Sequence, residues 1–319
     1  SSNAHGVPNY GQAGAYSVCL VIIVAGLLLW QSKLSRQAHR FQSITGKGFR
    51  PRVIPLGNSR WMASAILFLL FFMVTLLPVA VLVFTSFQPF FEGISMAAFR
   101  RSTLENYALL AGPGAFRDSI VNTLVLGIGT ASIVVPFTAL CAWLVARRAA
   151  GATLLDQLAT LPLVFPAIIL SVAFLELFVK SPLPLYGTLV SIIIASSMRF
   201  LPYGMRYAYA GALQIHSDLE EAATSAGAGR LRMFWRVLLP LLSSSLISSW
   251  LLIFLMSVQT VSLPLLLVGP GSEIMAVTLF NMWENGQVNE LAAMGVVWIV
   301  LMTFVSTIFH LVTRRWHLA

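Results

Sequence analysis

Long apolar runs constrain this chain more than any other feature of its sequence. About seven segments are continuously apolar and close to the roughly 20 residues that a helix needs to cross a hydrocarbon core of about 30 Å. Because the runs are continuous and not alternating, strands of a membrane barrel are excluded. The sequence therefore predicts an all-α, polytopic membrane protein with about seven transmembrane helices, at 15–30, 61–84, 120–146, 158–179, 188–213, 241–268 and 291–312.

The composition supports the membrane class and offers little chemistry for a cofactor. Hydrophobic residues make up 58% of the chain and charged residues 10%, whereas charged residues make up about a quarter of a soluble domain. Cys19 and Cys141 both fall inside apolar runs, which favours neither a disulfide framework nor a thiolate metal site. His216 and His310 show no metal-ligand spacing, so we expect no cofactor and no metal.

Basic residues in the connections predict the orientation of the helices. Residues 31–60 carry no acidic residue, and the rule that cytoplasmic loops are rich in Lys and Arg places them in the cytoplasm. Alternating spans then put the Arg147–Arg148 turn, the loop at 214–240 and the Arg314–Arg315 end on the same side. The net charge of +9 therefore reflects membrane topology, and nucleic acid is not an expected partner. The basic residues of 31–60 are Lys33, Arg36, Arg40, Lys47, Arg50, Arg52 and Arg60.

The cytoplasmic loop that contains EAATSAGAGRLRMFWRVLLP interrupts the apolar pattern. Ser217 and Glu220 have the spacing of a capping box, which predicts that a short helix begins there. Gly227 and Gly229 predict left-handed positions where the chain reverses. A second, amphipathic helix is expected to lie on the membrane surface until Pro240 ends it. Its apolar face is Leu231, Phe234, Trp235 and Leu238, and its basic face is Arg232 and Arg236.

The order of parts in this loop resembles the EAA loop of permease subunits in binding-protein-dependent ATP-binding cassette (ABC) importers of type I. The resemblance implies a coupling helix that docks in a groove of a separate ATPase subunit. Small side chains at Ala222 and Ala223 would permit close approach, Glu221 would face donors on the partner, and Gly227 would turn the chain. The implied coupling residues are Glu220, Glu221, Ala222, Ala223, Gly227 and Pro240.

Four other stretches resemble ferric-iron (Fe3+) importer permeases, in which one chain carries two halves. They are 41–57, RFLPYG at 199–204, SLPLLL at 262–267 and GPG at 269–271. Polyamine, thiamine and phosphonate permeases share much of the pattern, so these substrates stay open. The pair Gln259–Thr260 departs from the Lys–Glu pair of many iron permeases, which leaves no role to carry over to it.

The resemblance implies three parts of the chain and several partners. Residues 1–31 would be an external loop and the last helix of a truncated first half, 32–60 a basic cytoplasmic linker, and 61–319 a six-helix permease domain. The sequence has no G-x-x-x-x-G-K-[ST] phosphate loop, so we expect a transport subunit that is not itself an enzyme. The implied partners are an ABC ATPase, an external substrate-binding protein, a missing first half or second permease subunit, and lipid of a bacterial plasma membrane.

Two charged residues inside predicted helices are candidates for the translocation path, since such charges are costly and usually face protein or water. Arg199 lies about 17 Å into its segment, near the midplane, and Glu176 lies near the outer end of the preceding segment. Two interpretations of Arg199 stay open: it lines the path or locks a gate, or it bonds carbonyls freed by Pro202. A secondary transporter would also accommodate a buried arginine, but an intramembrane enzyme lacks a visible nucleophile and base.

Overall fold

The computed structural model describes residues 19, 26, 57, 59–90, 92–93, 95–112, 115–216 and 218–316. Nearly all of the predicted first helix at 15–30 and of the linker at 32–60 therefore lies outside the described residues. Contacts divide the chain into two compact units. The first comprises 1–107 and 288–296, and the second comprises 108–287 and 297–319.

The first unit is built around a long apolar helix that contains one wide turn. The π-helical turn Phe72–Leu76 joins two α-helices, and the Leu77 amide bonds the carbonyl of Phe72, five residues back. Pro78 follows directly in the first turn of the next helix. A wide turn shifts the carbonyl ladder away from the proline ring, so the helix continues past the proline. The α-helices are α1 (Ser59–Phe71), α2 (Leu77–Ser86), α3 (Met96–Arg100) and α4 (Glu105–Ala111), whose last four residues belong to the second unit.

The second unit is also helical, which confirms the predicted fold class. Among the described residues the only strand-like pairing is an isolated bridge between Gly187 and Val268. A 3-10 turn, Leu161–Leu163, follows α6, and a π-helical turn, Phe234–Leu238, follows α10. The helices are α5 (Ala115–Ala146), α6 (Ala152–Thr160), α7 (Ala167–Lys180), α8 (Leu189–Gln214), α9 (Asp218–Ser225), α10 (Arg230–Met233), α11 (Leu239–Val258), α12 (Met275–Glu284) and α13 (Val288–Trp316), whose first turns belong to the other unit.

Four helical runs in the described part of the chain are long and apolar enough to cross a membrane: Ser59–Ser86, Phe116–Ala146, Arg230–Val258 and Val288–Phe309. A fifth is the pair Ala152–Leu163 and Ala167–Lys180, which is bent by 104°. The predicted segment 188–213 forms α8, whose 26 residues extend about 39 Å, although its arginines make it more polar. The sequence predicted about seven spans; the described residues contain four clear ones, or five if the bent pair counts as one span.

Two predicted boundaries in the segment 241–268 are wrong. The helix begins earlier, because Pro240 does not end the preceding helix: Arg230 to Val258 is one helical run. The reason is the π-helical turn before the proline, in which the Leu239 amide bonds the carbonyl of Phe234. The helix also ends at Val258, and the apolar residues that follow form a buried loop, with Leu263 and Leu267 fully covered.

Small residues let α5, α8 and α11 approach closely. A Cβ added at Gly204 would lie 2.7 Å from Thr138 Oγ1, and one at Gly127 would lie 2.7 Å from the Phe254 ring. On α8, Gly204, Ala208 and Ala212 recur every four residues and are all buried. Close approach of this kind is how helices in lipid gain dispersion energy without a hydrophobic driving force.

Replacing Gly204 by Val tests this packing. The added side chain has no space beside Thr138, so we expect α5 and α8 to separate and the protein to lose about 1 to 3 kcal/mol of stability. Thermal unfolding in detergent micelles measures the effect. Met198→Val on the exposed face of the same helix is the matched control, and equal melting temperatures of the two variants would contradict the packing.

Candidate functional site

The interrupted loop forms a short helix with a defined turn at its end. Helix α9 covers Asp218–Ser225, and Gly227 has φ +81°. The Gly227 amide bonds the Thr224 carbonyl at 2.9 Å and the Ala228 amide bonds the Ala223 carbonyl at 3.0 Å. These are the two hydrogen bonds of a Schellman helix end, which requires a left-handed residue. The prediction for Gly227 is therefore confirmed.

The second glycine of the turn behaves differently from its prediction. Gly229 has φ −67° and ψ 156° and precedes the first residue of α10. This is extended backbone, so the prediction of a left-handed Gly229 is wrong. One left-handed residue is enough, because the Schellman bonds at Gly227 already reverse the chain direction.

Helix α9 exposes small and acidic side chains. Glu221 and Ala222 are exposed, whereas Glu220 and Ala223 are half-buried. Ala223 packs against the hydrophobic core of the second unit, so one side of α9 is attached to that unit and the other is free. The free side carries no long side chain at Ala222, and a partner could approach its backbone closely.

Glu220 is held by two side chains, Trp143 near the end of α5 and Arg147 directly after it. Its Oε1 accepts from Arg147 Nε at 2.6 Å, and its Oε2 accepts from Trp143 Nε1 at 3.3 Å. Arg147 Nη2 also donates to the Ile215 carbonyl at 2.9 Å. Ser217, the other half of the predicted capping box, lies outside the described residues. No sequence pattern indicated a role for Trp143, and Arg147 was informative only as a basic residue that orients the helices.

A cavity of about 1130 Å³ opens between the end of α5 and the helices α9 and α10. Its wall combines the carboxylate of Glu220, which Arg147 and Trp143 hold in place, with apolar surface. Residues that line it include Trp143, Arg147, Glu220, Glu221, Ala228 and Phe234.

The amphipathic segment after the turn is only partly as predicted. Phe234 and Leu238 are buried at 4% and 1% exposure, while Leu231 and Trp235 are exposed at 71% and 55%. The exposed pair contributes to an apolar groove of about 600 Å³ beside α11 and α5. In a membrane protein exposed apolar side chains face lipid or another helix, so periodicity alone did not separate the two surfaces.

Arg199 lies where a membrane helix is broken. Its Nη1 donates to the carbonyl of Phe165 at 3.1 Å, and Phe165 lies in the bend between the 3-10 turn and α7. Pro166, which has no amide hydrogen, follows directly. The arginine thus satisfies a carbonyl freed by this bend, and not one freed by Pro202 as the sequence suggested. A role in the path stays a prediction.

Glu176, the second candidate for the path, has a different partner. It forms an i,i+4 ion pair with Lys180 on α7, and both side chains are mostly exposed. Such an exposed pair contributes little to stability. The hydrogen bonds of the described residues link neither Glu176 to Arg199 nor either residue to α9, so the two candidates do not form one cluster with the loop.

Replacing Arg199 by Met removes the donor to the Phe165 carbonyl. We expect a loss of about 1 to 3 kcal/mol, because the partly buried Phe165 carbonyl loses a charged hydrogen-bond donor, and thermal unfolding in detergent measures it. Arg206→Met on the exposed face of the same helix is the matched control. If Arg199→Gln also leaves uptake into cells normal, a role for Arg199 in the path is excluded.

Comparison with known families identifies most of the second unit. A family model described as "Binding-protein-dependent transport system inner membrane component" matches residues 108–317. The ferric transport system permease protein FbpB of Actinobacillus pleuropneumoniae is 32% identical over 65% of this chain and 31% of its own length. A putative 2-aminoethylphosphonate transport system permease protein PhnV of Salmonella paratyphi A is 26% identical over 75% of this chain and 88% of its own length.

The fold matches a solved transporter as well. A chain of a bacterial ABC transporter involved in the import of the acidic polysaccharide alginate has a TM-score of 0.64 and 16% identity, with 80% of this chain and 96% of that chain covered. This similarity shows the fold alone. The chain spans about a third of the length of the two FbpB relatives that it matches.

Proposed function

Because the chain belongs to the family of binding-protein-dependent transport system inner membrane components, we propose that it forms part of the channel of an ABC importer. It is a multi-pass inner membrane protein. In this proposal an external substrate-binding protein delivers the substrate, and ATP is hydrolysed by a separate subunit. A second permease half, from a missing first half or another subunit, completes the channel, with 32–60 as the cytoplasmic linker and 61–319 as the permease domain.

The observation that carries the proposal is the geometry of α9. An eight-residue helix presents Glu221 and Ala222 to solvent while Ala223 and Glu220 attach it to the membrane helices. A partner that pushes on the exposed side therefore moves the helices behind it. We assign α9 as the coupling helix, with Gly227 as the residue that ends it and Pro240 inside the helix that follows.

Ferric iron is the substrate that we favour. The ferric relative is 32% identical, compared with 26% for the phosphonate relative. Among the described residues no group of three His, Cys, Asp or Glu side chains could hold a metal ion. The chain would accordingly pass the ion along without a coordination cage, and the external binding protein would supply the affinity, since Fe3+ prefers hard oxygen ligands.

Uptake of radioactive iron tests the substrate. Cells that contain the complete transporter should take up 55Fe3+, and a hundredfold excess of 2-aminoethylphosphonate or spermidine should not compete. Competition by the phosphonate would instead assign the transporter to the substrate of its second relative. Uptake that continues after ATP is depleted, with the proton gradient maintained, would indicate a secondary transporter.

Replacing Gly227 by Pro tests the coupling helix. Proline fixes φ near −65°, whereas Gly227 has φ +81°. Proline also has no amide hydrogen, so the hydrogen bond from residue 227 to the Thr224 carbonyl is lost. We expect transport and substrate-stimulated ATP hydrolysis to fall at least tenfold while the amount of protein in the membrane stays normal. Gly229→Ala is the control, because Gly229 is extended and a Cβ there meets nothing within 4 Å. Substrate-stimulated ATP hydrolysis that survived Gly227→Pro would remove the coupling role.

A further inference from the structure

One guanidinium connects the end of α8 with the beginning of α9. Arg147 Nη2 donates to the carbonyl of Ile215, the residue that caps α8, and Arg147 Nε donates to Glu220 in the first turn of α9. Arg147 itself directly follows the last residue of α5. Three helix ends therefore meet at a single side chain, independently of the short connection between α8 and α9.

The ion pair is mostly buried, and both oxygens of its carboxylate accept hydrogen bonds. The side chains of Arg147 and Glu220 are 26% and 13% exposed, so solvent screens their attraction less than that of an exposed pair. Trp143 Nε1 donates to the second carboxylate oxygen, and the Trp143 ring packs against Phe234 with centroids 5.6 Å apart. The planar guanidinium offers several donors in fixed directions, which a lysine could not match.

The other end of α9 has no comparable attachment in the described structure. Gly227 is left-handed, and an added Cβ at Gly227 or Gly229 would meet nothing within 4 Å. Near this end α9 is attached by the packing of Ala223 against the core, and the described residues of α9 after Ala223 donate no side-chain hydrogen bond to another helix. Side-chain hydrogen bonds to other parts of the chain therefore hold α9 at its start, and packing alone holds it near its end.

We propose that Arg147 is a positioning residue that locks α9 onto α5 and α8, so that the three move together and the chain pivots at Gly227. The consequence for transport rests on the proposed function: force applied to α9 by an ATPase passes through the guanidinium to α5. Without Arg147, α9 can still dock, but its movement is no longer transmitted.

Spin labels test the lock without any partner. Labels at Ala150→Cys, in the turn after α5, and at Ser225→Cys, at the end of α9, both occupy exposed positions; Cys19→Ser and Cys141→Ala remove the native thiols. In the purified permease, double electron–electron resonance should give a narrow distribution of the distance between the two labels. We expect Arg147→Gln and Glu220→Gln each to broaden it at least twofold.

Arg148→Gln is the matched control, because Arg148 is the exposed neighbour of Arg147, and it should leave the width unchanged. The reversed pair, Arg147→Glu with Glu220→Arg, should narrow the distribution again, although the bond to Ile215 is lost. If the Arg147→Gln protein does not accumulate in the membrane, the width measured for the isosteric Glu220→Gln variant tests the proposal in its place. Unchanged widths in both single variants, or equal broadening by Arg148→Gln, would overturn the proposal.

The intact transporter in proteoliposomes then tests the transmission of force. In Arg147→Gln we expect ATPase binding and basal ATP hydrolysis within twofold of the unaltered protein, with uptake per ATP lowered at least fivefold. Equal loss of ATPase binding and uptake would show that Arg147 serves docking and would contradict transmission. If the unaltered chain binds no ATPase, the proposed function fails, whereas the spin-label result on the lock stands by itself.

Discussion

The structure depends on supplying hydrogen-bond donors to carbonyls at helix ends. The last carbonyls of a helix have no partner inside it, and water has little access to replace one where the helix end is partly buried in protein or lies in the bilayer. In this chain polar side chains from other helices provide the donors. Arg199 donates to the Phe165 carbonyl at the break before α7, and Arg147 donates to the Ile215 carbonyl at the end of α8. Both arginines therefore fix where a helix ends as well as carrying charge.

The same arrangement recurs in the first unit, at the end of α2. The side-chain Nδ2 of Asn106 donates to the backbone carbonyls of Ser86 and Gln88. The side-chain Nδ2 of Asn289 donates to the backbone carbonyls of Thr85 and Gln88. All of these groups are buried. Unpaired, each would cost about 1 to 3 kcal/mol, so the bonds hold the chain where it leaves the helix. Helix ends fixed in this way can transmit displacement as rigid parts.

The sequence predicted what depends on local pattern and missed what depends on distant residues. The apolar runs, the helix α9 and the left-handed Gly227 follow from neighbours along the chain. The pairing of Arg147 with Glu220 joins residues 73 positions apart, and nothing in either neighbourhood indicates it. Pro240 was misjudged because a π-helical turn absorbs the proline, and that turn has no clear sequence signal.

The central claim is that α9 faces the cytoplasm and contacts an ATPase. Photocrosslinking in native membranes tests this directly, with a benzophenone attached to Ala222→Cys in a chain without Cys19 and Cys141. We predict a covalent product with the ATPase from Ala222→Cys and none from Glu284→Cys at the C-terminal end of α12. Labelling of Ala222→Cys only from the external side of sealed cells, or no ATPase in the product, would contradict it.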